Sequence, residues 1–141
     1  MIGAQARKAG QTLMVHNHDW EFAALPGGGT GYDLLMQHTD PRNVTFELDV
    51  YWAEFAGVDP TTLLERYGKR VWLIHVKDLR ESDRRIEVVS RGIVDFPSIF
   101  AAGGGGTKYF VVEHDPRRND PTFDPFEAAE VGFDYLDCVT F

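Results

Sequence analysis

The stretch VTFELDVYWAEFAGVDPTTLLERYGKRVWLIHVKD, residues 44–78, decides the fold. Val44–Asp49 is β-branched and aromatic and follows the turn Asp40-Pro41-Arg42-Asn43, so it reads as a strand with its entry turn. Gly57-Val58-Asp59-Pro60 comes next, where Asp59 fits a helix N-cap and Pro60 the first helical position. Leu63, Leu64 and Tyr67 then form a short apolar stripe at helical spacing, and Gly68 ends it. Lys69-Arg70 lead into a second strand, Val71–Val76. A short crossover of this kind joins parallel strands.

The same unit repeats outward in both directions. Residues 1–9 read as the end of a helix closed by Gly10, before a strand over 11–18. Residues 32–38 are a helix between that strand and Val44–Asp49. Asp95 caps a helix through Phe100, stopped by the glycines at 103–106, and 108–113 is the last strong strand. Asp124, Pro125 and Glu127 open a closing helix through about Leu136. Residues 86–89 are a candidate short strand. Alternating β and α predicts a parallel sheet in one domain over residues 1–141, either doubly wound or a barrel. About five strands are expected, where a (β/α)8 barrel of roughly 250 residues has eight. Such a partial barrel keeps two unpaired edges, through which a homodimer could form.

Composition narrows the function classes. The formal net charge of −8 argues against nucleic acid as a partner, because that binding neutralises phosphates with Lys and Arg. No run approaches the roughly 18 apolar residues of a membrane span, and no signal peptide opens the chain, so no membrane association is expected. A single cysteine, Cys138, excludes an internal disulfide and suits a cytoplasmic setting. Its thiol is expected to be buried or unreactive. Aromatic residues make up 13% of the chain, enough to wall a small polar substrate if they gather near strand ends.

The chemistry lies where the strands finish. Residues two apart on a strand share a face, which groups Met14 with His16 and His18, Thr45 with Glu47 and Asp49, and His75 with Lys77. The last strand ends at Glu113. Carboxylates and imidazoles without thiolates suit one divalent ion such as Mn²⁺, Mg²⁺, Co²⁺ or Zn²⁺. Asp49, His75 and Glu113 are the strongest candidate ligands. One such residue at a strand end would ordinarily be making a turn hydrogen bond; their recurrence at successive strand ends points to a site.

The strings His16-Asn17-His18-Asp19-Trp20-Glu21-Phe22, Phe46-Glu47-Leu48-Asp49-Val50-Tyr51-Trp52, His75-Val76-Lys77-Asp78 and Val112-Glu113-His114-Asp115 resemble the sugar phosphate isomerase/epimerase family. This family lies in the xylose-isomerase-like TIM-barrel superfamily, with inosose dehydratases, tagatose/psicose 3-epimerases, hydroxypyruvate isomerases and endonuclease IV. The resemblance runs along essentially the whole chain and matches the C-terminal half of the barrel, from the fourth strand to the eighth, with the N-terminal half lacking. It implies a divalent metal held by a Glu, Asp, His, Glu set. Asp49, His75 and Glu113 take the last three places. For the first place Glu21, curling back, is favoured, with His16 as the alternative; Glu47 is a weaker candidate and is expected to be an interior acid held by a Lys or Arg.

The resemblance further implies a metal-dependent isomerase or epimerase acting on a sugar, keto-sugar or sugar phosphate through an enediolate. Glu113 and a first-strand residue, Glu21 or His16, would move the proton. Lys77 would bind a substrate oxygen or stabilise the enolate, unless it pairs with Asp78. Trp52 and Trp20 would wall the sugar pocket or serve as core aromatics, and His18 would touch substrate or pack at its strand end. His114, Asp115 and Arg91 are weaker candidates. The Gly-rich loop of relatives retains only Gly92 here. A dehydratase-type lyase is the nearest alternative, and a half-barrel that needs a partner before it can act is another; a nuclease fits poorly with an acidic chain.

Overall fold

A computed structural model describes residues 1–115 and 123–140 of the chain. Four parallel strands form the sheet in the order β1 (Leu13–His16), β2 (Val44–Asp49), β3 (Val71–Val76) and β6 (Tyr109–Val112). Between them lie α2 (Gly31–His38), α3 (Val50–Phe55), α4 (Pro60–Tyr67) and α5 (Phe96–Gly103), with α1 (Ile2–Lys8) before the sheet and α6 (Pro125–Cys138) after it. Asp59 and Asp95 cap α4 and α5 as expected, accepting from the N–H groups of Thr61 and Ser98, and Pro lies in the first turn of each helix. α5 stops at Gly103, the first of the four glycines.

The fifth expected strand is a correction. Ile86–Glu87 (β5) pairs antiparallel with Asp78–Leu79 (β4) in a separate hairpin, and β6 hydrogen-bonds directly to β3. The β-branched run 86–89 has strand propensity, but propensity says nothing about which edge it joins. The first strand is also shorter than 11–18, and six residues after Asp49 form α3, which the sequence reading passed over. Four parallel strands are half of an eight-stranded barrel.

The sheet has two unlike faces. Phe46, Leu48, Ile74 and Val76 are fully buried in one apolar core with Leu64 of α4 and Ile99 and Phe100 of α5. In-register pairing puts the complementary residues on the other face: Met14 and His16 beside Thr45 and Glu47, Asp49 beside His75, and His75 beside Val111. This second face is the open one. Tyr109 and Val111 of β6 are exposed there. Among the described residues β1 and β6 each have one unpaired edge. Cys138, at the end of α6, is exposed rather than buried. No helix among the described residues is long and apolar enough to cross a membrane.

Candidate metal centre

The open face carries polar groups at the C-terminal ends of its strands, and a buried asparagine sets their spacing. Asn17, immediately after β1, donates from Nδ2 to the carbonyl of Asp49 (3.1 Å) and accepts at Oδ1 from the Asp49 N–H (3.0 Å). These two bonds clamp the ends of β1 and β2 and bring His16 beside Asp49. Sequence reasoning quoted Asn17 but gave it no role, because its partner lies 32 positions away.

Asp49 is wholly buried and uses both carboxylate oxygens. Oδ1 accepts from the Trp52 N–H (3.1 Å) and so caps α3, while Oδ2 lies 3.2 Å from His16 Nε2 and 3.0 Å from Lys77 Nζ. Burial alone would raise its pKa; the hydrogen bond from His16, the nearby His75 imidazole and the Lys77 charge override that and hold it well below the usual carboxylate range. His16 is shifted upward, chiefly by its bond to Asp49 against the opposing effect of burial. Lys77 is likewise buried, yet its pKa is raised, because Asp49, Glu113 and Asp115 outweigh desolvation.

Lys77 is 3.0 Å from Asp49 Oδ2, 2.7 Å from Glu113 Oε2 and 2.9 Å from Asp115 Oδ2. An ammonium has three N–H groups, and three carboxylates surround this one. Asp78 is not among them. Its Oδ1 accepts from the N–H groups of Leu79 and Val94, and its Oδ2 from those of Ser90 and Gly92. The alternative pairing of Lys77 with Asp78 is therefore corrected. This nest also explains Gly92, where a Cβ would overlap the Asp78 carboxylate.

His75 faces two ways. Nε2 is 2.6 Å from Glu47 Oε1, so the partner of Glu47 is a histidine rather than a Lys or Arg. Nδ1 is 3.0 Å from Glu113 Oε2 and 3.7 Å from Asp49 Oδ2. Both His75 Nδ1 and Glu113 Oε2 are buried without an aligned hydrogen bond, although Lys77 lies within ion-pair range of the latter. A cation between His75 Nδ1 and Glu113 Oε2 would contact both atoms. One ligand atom each from His16, Asp49, His75 and Glu113 lies within 4.8 Å of the others, and together the four form a possible metal-binding site.

His16, and not Glu21, completes that set. Trp20–Phe22 is a 3-10 turn, and it swings Glu21 back so that Oε2 accepts from the His18 N–H at 2.8 Å. The carboxylate does curl back, but onto its own loop. His18 stacks on Trp20 (centroids 4.3 Å apart, 11° between planes) and lies 5.2 Å from Trp52 and 5.0 Å from His16. Trp20 is 62% exposed and so is no core aromatic, whereas Trp52 packs against the core edge. His114 stacks on Phe123 and Arg91 pairs with Glu127. Both line a cleft of about 380 Å³ beside the cluster, which also includes Asp115.

A half-barrel with strand-end acids and imidazoles defines a class of protein, and comparison with known proteins gives the same class. Over 95% of its length the chain is similar to a sugar phosphate isomerase/epimerase from Parabacteroides distasonis ATCC 8503, with 33% identity and a TM-score of 0.79 across 47% of that protein. Inosose dehydratase of Lacticaseibacillus casei is 29% identical over 163 aligned positions, covering 96% of this chain and 50% of the relative. Inosose dehydratase of Geobacillus kaustophilus (strain HTA426) is 32% identical over 124 positions, or 74% and 40% of the two chains. The chain thus spans about half the length of the curated relatives it matches. No family model matches it.

Proposed function

We propose that this chain carries the metal-holding half of a divalent-metal-dependent isomerase or epimerase of a sugar, keto-sugar or sugar phosphate. The observation behind the reading is the convergence of His16, Asp49, His75 and Glu113 on one point. A bound divalent ion would supply Lewis-acid polarisation of a substrate carbonyl. Two imidazoles in place of one make the set softer than the expected Glu, Asp, His, Glu ligands, which favours Zn²⁺, Co²⁺ or Mn²⁺ over Mg²⁺.

Glu113 is the group we assign to proton transfer. Its side chain is 34% exposed while Asp49 is sealed, so of the two carboxylates it alone can reach a carbon acid on the open face. It would take the proton from the carbon alpha to the carbonyl and return one to the neighbouring carbon from the same side; epimerisation would need a second proton donor on the opposite side of the substrate. Lys77, 2.7 Å from Glu113 Oε2, would hold that carboxylate in place. With three carboxylates around it, Lys77 must release one before it can donate to a substrate oxygen, and Asp115, 60% exposed, is the one most readily released. His18, Trp20 and Trp52 would wall the sugar, with His16 at the base. Glu21 acts by fixing the His18 backbone.

The names of the curated relatives favour a second reading, a dehydratase-type lyase acting on a keto-inositol or related sugar. Proton removal is shared, and a hydroxyl on the adjacent carbon then leaves as water. In either reading the pocket needs a wall opposite the open face, which a second set of four strands pairing with β1 and β6 would provide. A further copy of the chain is one source of that wall, and the cytoplasm is the setting that the lone cysteine suits.

The test is solvent-deuterium exchange with a panel of keto-sugars in the presence of Mn²⁺ or Co²⁺. Chelator-sensitive exchange at the carbon alpha to the carbonyl is expected. An epimer as product supports the isomerase reading, and an unsaturated ketone supports the lyase. Folded protein that takes up no metal counts against both.

A further inference from the structure

We propose that Glu47 is the positioning residue of His75, fixing the imidazole in the tautomer that offers Nδ1 to a cation. The use of Nδ1 as a ligand rests on the metal reading above; the tautomer does not. Glu47 lies on β2 two residues before Asp49 and on the same face, but outside the four-residue cluster. It is the cross-strand neighbour of His16 and touches His75, both members of that cluster.

An ionised carboxylate only accepts, so the 2.6 Å contact from Glu47 Oε1 is satisfied when the hydrogen is on Nε2. A neutral ring then carries its lone pair on Nδ1. That atom is buried and faces Glu113 Oε2 at 3.0 Å and Asp49 Oδ2 at 3.7 Å, both longer than the 2.6 Å contact at Nε2. Lys77 already offsets part of the repulsion between that lone pair and the two carboxylates, and a cation in the cluster would offset the rest. With the proton on Nδ1 instead, two acceptors would face each other across the shortest contact His75 makes, at Nε2. Glu47 therefore opposes that tautomer. Burial tightens the pair, since His75 is 14% and Glu47 19% exposed at the side chain.

Two measurements separate this role from mere packing. Long-range ¹H–¹⁵N correlation spectra of the metal-free wild type, taken at a pH where the ring is neutral, should show His75 protonated at Nε2. Protonation at Nδ1 would overturn the proposal. Co²⁺ titration should then give a dissociation constant about 10- to 100-fold higher for Glu47→Leu than for wild type. Glu47→Gln should stay within roughly fivefold, because its amide oxygen still accepts from Nε2. A folded Glu47→Leu that binds Co²⁺ like wild type would also overturn it. Wild type that takes up no Co²⁺ would sink the metal reading, and the nitrogen spectrum alone would then decide the role of Glu47.

Discussion

Asp49 and Asp78 make a useful pair. Both end or leave a strand of the same parallel layer, and both are buried to within 1% of full enclosure. Asp49 is surrounded by side chains that carry or can carry charge, namely His16, His75 and Lys77. Asp78 accepts from four backbone N–H groups and forms no ion pair among the described residues. Their pKa values move apart accordingly: Asp49 is held down, while burial pushes Asp78 up against the partial relief from Val94, Gly92, Leu79 and Ser90. A carboxylate met by backbone amides is locked into the loop it organises. A carboxylate met by side-chain cations can exchange one for another, which is what a metal site needs.

The largest effect that would break this contrast is at Asp78. Asp78→Ala leaves four backbone N–H groups without their acceptor, and with those of Leu79 and Val94 buried, at about 1–3 kcal/mol for each unsatisfied buried group, the loss should reach about 2–6 kcal/mol. Denaturant unfolding measures it. A loss below about 1 kcal/mol would show that the loop over 88–94 does not depend on this anchor.

Lys77→Met probes the other region. Removing one partner of a buried ion pair costs about 3–5 kcal/mol, so metal-free Lys77→Met should lose about 3 kcal/mol, since Glu113 and Asp115 retain solvent access. Added Co²⁺ should restore most of that loss, because a divalent ion replaces the missing charge and binds only the folded state. The same ion should leave the Asp78→Ala deficit in place. Equal rescue of both variants, or of neither, would erase the distinction between them.

Gly92→Ala is smaller. Its Cβ would overlap the Asp78 carboxylate, and overpacking of this kind costs about 1–3 kcal/mol in thermal or chemical unfolding. Acid titration of the metal-free protein gives the finest distinction. A depressed folded pKa means that Asp49 contributes stability above the ordinary carboxylate value of about 3.9, lost as pH falls through its folded value. Asp78, with a raised folded pKa, has the opposite sign: stability falls as pH rises from about 3.9 through its folded value. Asp49→Asn should therefore flatten the acid-side loss, and Asp78→Asn the decline on the other side.

The two regions were unequally legible in the sequence. Asp49, His75 and Glu113 stood out because a strand presents every second residue to one face, and ends of parallel strands align. Lys77 stood out by the same rule, but its pairing with Asp49, Glu113 and Asp115 did not. The choice between Glu21 and His16 depended on how a three-residue 3-10 turn aims one carboxylate, and no periodicity encodes that. Asn17 and Asp78 were silent because their partners are backbone groups, which every residue carries. The run 86–89 looked like a barrel strand, yet its edge is set by the hairpin it closes with Asp78–Leu79. Alternation of β and α, the Asp caps and the glycine stop after α5 were all local, and they read correctly.

The central claim is that His16, Asp49, His75 and Glu113 hold one divalent ion. Isothermal titration of Co²⁺ into metal-free wild type and Asp49→Ala, each verified as folded, tests it most directly. One ion per wild-type chain, lost in Asp49→Ala, is the predicted result. Folded wild type that takes up no ion, or an Asp49→Ala variant that binds as wild type does, would contradict it.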